Sequence, residues 1–143
     1  MDNPPADLAE RILEYGTRIV KVVGSMPRNL AGRRIADQLL TCGLSVGANY
    51  EGAQAAESHD DFVHKLQIAL KELRESGYWL KVVSRSNLLP QNRLAPLLDE
   101  SGQLVRMLSK AVARAKGKAR NGGTTTDSPK GRFLPFNFCF FDF

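Results

Sequence analysis

The chain has 143 residues, 43% hydrophobic and 24% charged, with 20 Lys/Arg against 15 Asp/Glu and a net charge of +5. That length allows one domain with a tail, and that composition excludes a disordered or fibrous chain. The positive balance favours an anionic partner without naming one.

Helical periodicity begins near Pro5 and runs to Gly24, with Leu8, Ile12, Tyr15, Ile19, Val22 and Val23 at three- and four-residue spacing. Asn3 or Asp7 is the expected cap, and Gly24, Ser25 and Pro27 end the segment. A second helix is expected from Asn29 or Leu30 to about Ala56, burying Ile35, Leu39, Cys42, Val46, Asn49 and Tyr50. Its second half is crowded with small residues, among them Gly43, Gly47 and Gly52. Each internal glycine costs about 1 kcal/mol against alanine, which close helix packing can offset. Ser58 caps a third helix, with Asp61 in the position of a capping-box acid. Its stripe is Phe62, Leu66, Ala69, Leu70, Leu73, Gly77 and Leu80, and it ends near Ser84–Asn87. Pro90 begins or precedes a fourth helix, whose stripe runs from Leu94 through Leu97, Ser101, Leu104 and Leu108 to Val112. Gly117 is expected to close it.

Four amphipathic helices on short connections hide their stripes most economically as an all-α, antiparallel up-down-up-down four-helix bundle. The bundle is expected over residues 1–116. Residues 117–143 read as a flexible Gly/Thr-rich linker and a tail holding six of the seven phenylalanines. That apolar tail reads either as a segment that docks on a bundle or as an extension without a role.

The inventory for chemistry is short. Cys42 and Cys139 are too far apart for a metal cluster, and Cys42 reads as a small core residue. His59 and His64 are five apart and do not share a helix face, so both read as structural or surface residues. No Glu-x-x-His pair, phosphate-binding glycine loop or activated nucleophile is present. No enzyme activity, metal or cofactor is therefore expected. There is no membrane-length apolar run, and the expected location is the cytoplasm. Ser45 and Asn49 are four apart and share a face. Asn49 lies near the buried stripe and needs a hydrogen-bond partner, with Glu75 of the third helix as the candidate. Ser45, Asn49 and Glu75 form the expected structural polar network.

Two groups of cations stand out. Arg18, Lys21, Arg28, Arg33 and Arg34 cluster around the first turn, and Arg106, Lys110, Arg114 and Lys116 line the end of the fourth helix. Lys81 and Arg85 are expected at the opposite end from the first turn.

From Leu30 to Leu80 the chain resembles the family of bacterial 23S rRNA intervening-sequence proteins, often called S23-like. That family is related to the accessory variability determinant of diversity-generating retroelements. The resemblance rests on Gln38 seven residues before Ser45-Val46, then on Asn49-Tyr50-Glu51-Gly52, where the family has Asn-Ile-Ala-Glu-Gly. It continues in Asp61-Phe62, Leu66, Ile68-Ala69-Leu70, Glu75 and Leu80. Leu40-Thr41 stands where members often carry a basic pair, and Lys71-Glu72 where they carry Gly-Ser. The resemblance covers about residues 8–116 and implies a homopentamer of four-helix bundles without enzyme activity. It also implies RNA or DNA as partner; the two basic groups, read from their clustering, are then either the contact surface or solvated faces with incidental charge. The alternative expectation is a protein-interaction scaffold whose partner is another protein.

Overall fold

Leu8, Ile12, Tyr15 and Ile19 repeat at helical spacing and are all buried, which sets the inner face of α1 (Ala6–Gly24). The computed structural model describes residues 6–121. Asn3, the Gly/Thr-rich segment and the phenylalanine-rich tail lie outside them. Asp7 is inside α1 rather than at its cap.

A short turn leads to α2 (Leu30–Gln54), started by Asn29, whose side-chain oxygen accepts from the Gly32 N–H at 2.8 Å. Its buried face is Ala36, Leu39, Cys42, Gly43, Val46, Tyr50 and Ala53. Ile35 and Asn49, expected on that face, are only partly buried at its margins. Gly43 is the reason for the rotation. A β-carbon there would lie 2.8 Å from Ile19 Cγ2, so the helix turns its bare backbone toward α1.

Ser58 starts α3 (His59–Arg85) and accepts from the Asp61 N–H at 3.1 Å, as expected. The return arm differs from a full capping box. The shorter Asp61 carboxylate reaches the Glu57 N–H at 3.4 Å and takes Lys65 Nζ at 2.7 Å. At the other end Asn87 has φ 53°, Leu88 N–H donates to Val83 O, and Asn87 N–H donates to Ser84 O. This is a Schellman stop with asparagine in the left-handed position.

The fourth helix, α4 (Gln91–Asn121), does not end at Gly117. Gly117 has no positive φ and meets nothing within 4 Å, so it gives neither a left-handed cap nor a clash. Its cost of about 1 kcal/mol is outweighed by helix-forming neighbours such as Ala115, Lys116 and Lys118.

Each helix packs on the one before it, and α4 closes back onto α1, giving an all-α four-helix bundle; no strand occurs among the described residues. The core runs its whole length, from Leu39, Leu80, Leu89 and Leu94 to Leu66, Leu108 and Ala115. The α1–α4 seam is the thinnest. It is fastened by Arg11, which donates to both Glu100 carboxylate oxygens at 2.9 Å and to Gln103 Oε1 at 2.7 Å.

Candidate nucleic-acid interface

The parity of the helices decides where the charges fall. In an up-down bundle the α1–α2 and α3–α4 turns share one end, here called the upper end. Arg93 at the start of α4 donates to Ser25 Oγ of the α1–α2 turn at 3.3 Å. Arg18, Lys21 and Arg93 also line one cleft of about 150 Å³ over Val22, Leu89, Leu94 and Leu97. Lys81 and Arg85, near the end of α3, therefore stand at the same end as the first turn, which corrects the sequence expectation.

That end has an unusual composition. Residues 15–36 and 76–98 contain Arg18, Lys21, Arg28, Arg33, Arg34, Lys81, Arg85 and Arg93, and neither stretch contains an Asp or Glu. All of these cations except the half-buried Arg18 are exposed. Elsewhere in residues 6–121, Asp and Glu outnumber Lys and Arg. The modest net charge thus hides a strong separation along the bundle axis. Sequence reasoning missed Lys81, Arg85 and Arg93 as members of this group. The signal was present in the two acid-free stretches, combined with the rule that odd helices end where even helices begin.

The second basic group is elsewhere. Lys110, Arg114 and Lys116 are exposed toward the lower end, where His59 Nε2 donates to the Ala115 carbonyl at 2.9 Å. Arg106 sits halfway along α4, with Nη1 3.7 Å from where a Gly102 β-carbon would be. Asp60, Asp61 and Glu57 lie in the turn and first helical residues near that lower end, so its charge is mixed. The structure does not bring the two basic groups together within one chain.

The expected polar network also differs. Asn49 Nδ2 donates to the Ser45 main-chain carbonyl at 2.8 Å, and no hydrogen bond joins Asn49 to Glu75 among the described residues. The helix's own carbonyl one turn back takes the amide proton instead. Glu75 and Glu72 instead bear on Cys42. Burial first, then the fields of Glu75 and Glu72, push the Cys42 thiol up to about 12. Burial and Glu75 likewise push the Glu72 carboxyl upward.

The fully buried polar contact is one the sequence did not announce. Tyr15 crosses the core from α1 and its hydroxyl lies 2.8 Å from Ser76 Oγ of α3. Ser76 donates its own proton to the Leu73 carbonyl, so Tyr15 is the donor to Ser76. Ser101 of α4 faces the same hydroxyl, and burial raises the Tyr15 pKa. Three helices meet at this point.

These shifts set the response to alkali. Cys42 keeps its proton in the folded chain up to about pH 12, whereas an unfolded thiol loses it from about pH 9. The folded state therefore holds the extra proton, and stability declines as pH rises through that window. Thermal melts from pH 7 to 11 are expected to show a falling Tm above pH 9. Cys42→Ala should remove the thiol's share of that fall, which begins near pH 9, leaving the share of Tyr15 and Tyr50, which burial also raises. An equal slope in the variant would show that the thiol is not responsible.

No group of three or more His, Cys, Asp or Glu among the described residues could hold a metal ion. No helix among them is long and apolar enough to cross a membrane.

Comparison with known proteins bears on this arrangement. Residues 7–110 match the family model described as 23S rRNA-intervening sequence protein. The fold is similar to a crystal structure from Bacteroides thetaiotaomicron VPI-5482, described as a protein of unknown function from the S23 ribosomal protein family. That similarity has a TM-score of 0.69 at 30% identity and covers 73% of this chain and 97% of the other. No curated protein matches the chain.

Proposed function

The chain belongs to the 23S rRNA-intervening sequence protein family, and from its acid-free upper end we propose that it is a non-enzymatic, homopentameric bundle that binds RNA or DNA. The observation that carries this reading is the gathering of eight cations with no carboxylate in the stretches that hold them. Lys and Arg side chains that neutralise the phosphates displace the counterions condensed on a nucleic acid, and that release drives binding without base recognition. Arg28, Arg33 and Arg34 are exposed at the first turn and the start of α2, with exposed Lys21 and half-buried Arg18 beside them on α1. The lower group of Arg106, Lys110, Arg114 and Lys116 serves as a secondary contact when subunits repeat around a ring.

Assembly is supported by the outer face of α1 and α2. Leu13, Val20 and Leu44 are 64%, 48% and 45% exposed, and Leu44 Cδ2 lies 3.5 Å from where a Gly16 β-carbon would be. Leu13, Gly16 and Val20 share one face of α1, so Leu44 completes an apolar strip. An apolar strip in water favours burial against another copy.

The test is binding of labelled RNA and DNA oligonucleotides, single-stranded and duplex, at 50 and 200 mM salt, with oligomer mass measured on the same samples. We expect binding that weakens steeply with salt. The triple variant Arg28→Glu, Arg33→Glu and Arg34→Glu should lose at least about tenfold in affinity and flatten the salt dependence. Absence of binding at low salt by an intact oligomer would leave the protein-scaffold reading instead.

A further inference from the structure

Arg74, Tyr78, Lys81 and Arg85 follow one another along α3 at spacings of four, three and four residues. That spacing keeps them on a single face, and all four are exposed. At about 1.5 Å per residue, Arg74 and Lys81 stand roughly 10 Å apart along the axis, with Tyr78 between them. Tyr78 is 59% exposed, an unusual position for a large ring on a bundle surface. Its neighbour Trp79 meets it edge to face, with ring centroids 5.2 Å apart at 73°. The ring is thus braced at one side while much of it remains open to solvent.

Beside this face the α3–α4 seam opens into a cleft of about 320 Å³. Gly77, Ser101 and Gly102 contribute small residues to it, Arg74 and Lys81 flank it, and no carboxylate lines it. Arg106 reaches back to Gly102, one of the residues lining the cleft, with Nη1 3.7 Å from where a Gly102 β-carbon would be. The stripe leads upward through Arg85 into the acid-free end of the bundle.

We propose that this face of α3 is the track for a single-stranded nucleic acid, with a base stacked on Tyr78 and phosphates on Arg74, Lys81 and Arg85. The inference rests on the nucleic-acid reading above and narrows it to a strand class and a site. Cations alone serve a duplex, a single strand or an acidic peptide equally well. A flat exposed ring among them discriminates, because only an unpaired base offers a free π-face to stack upon. Duplex bases are already stacked on one another, and acidic side chains have no such face.

The full-length protein is titrated against a 20-nucleotide oligothymidine and against a 20-base-pair duplex, by anisotropy. Trp79 is the only tryptophan in the chain and touches Tyr78, so its emission gives a second readout. Tyr78→Ala is expected to weaken single-strand binding about 5- to 100-fold, leaving duplex affinity and the salt dependence unchanged. Tyr78→Phe should retain single-strand affinity, since stacking needs the ring and not the hydroxyl. An unchanged single-strand affinity in Tyr78→Ala, or an equal loss for both probes, would overturn the proposal while leaving general nucleic-acid binding intact. Displacement of the oligothymidine by polyglutamate as readily as by unlabelled oligothymidine would also overturn it. A wild-type protein that binds neither probe would remove both readings together.

Discussion

Gly32→Ala is expected to cost about 3 kcal/mol and to lower Tm by roughly 10–20 °C. A β-carbon on Gly32 would run into the carbonyl oxygen and carbon of Pro27, and would stand 3.1 Å from Asn29 Oδ1. The first two atoms are backbone and cannot rotate away. Moving the turn to make room would pull Asn29 off the Gly32 N–H that it caps at 2.8 Å. The substitution therefore forces either overpacking or loss of the cap. Gly47→Ala on the same helix is the control. Its β-carbon would meet only Ile12 Cγ2 at 3.6 Å, an ordinary contact. Gaining alanine's propensity should then stabilise by up to about 1 kcal/mol. Differential scanning calorimetry of the two variants checks the pair. A Tm for Gly32→Ala within 2–3 °C of wild type, on the order of 0.5 kcal/mol, would show that the turn yields easily.

Removing both acceptors around Tyr15 should be similarly damaging. Tyr15 and Ser76 are fully buried and Ser101 is 4% exposed. Ser76→Ala alone leaves Ser101 to receive the phenol proton, so a loss of about 1 kcal/mol is expected. Ser76→Ala with Ser101→Ala leaves the hydroxyl buried without a partner, and the loss should approach 3 kcal/mol. Adding Tyr15→Phe removes the stranded donor and should recover a large part of that loss. Urea unfolding of the three variants measures the cycle. Failure of Tyr15→Phe to restore stability in the double-alanine background would mean that the serines matter for packing, not for hydrogen bonding.

The four helices and the starts of α2 and α3 are readable because each rests on local rules. Asn29 and Ser58 are capping residues directly ahead of apolar periodicity. The bundle followed from four stripes and three short connections. What escaped depended on three-dimensional competition. Asn49 needs a partner by residue type, and the helix's own backbone supplies one in the carbonyl one turn away rather than a residue of α3. Ser76 lies between Leu73 and Leu80 and looks like an interruption of the α3 stripe until Tyr15 is seen reaching it from α1. Gly117 read as a terminator by residue type, yet a glycine stops a helix only when it takes the left-handed conformation. The cations around the first turn are neighbours in sequence, whereas Lys81 and Arg85 join them only through the helix reversal that sets the end of α3 beside the starts of α2 and α4.

The antiparallel packing has a further consequence for the basic end. There α1 and α3 finish while α2 and α4 begin, so two negative and two positive helix ends lie side by side and their macrodipoles largely cancel. The field at that end is therefore written almost wholly in side chains, on long stems that stand out in solvent. Mobile ions reach such charges freely and damp their influence beyond about 10 Å at 0.1 M salt. Lysine modification at Lys21 or Lys81 would subtract from it one charge at a time. The fold supplies a neutral frame, and the potential mounted on it is adjustable without altering the frame.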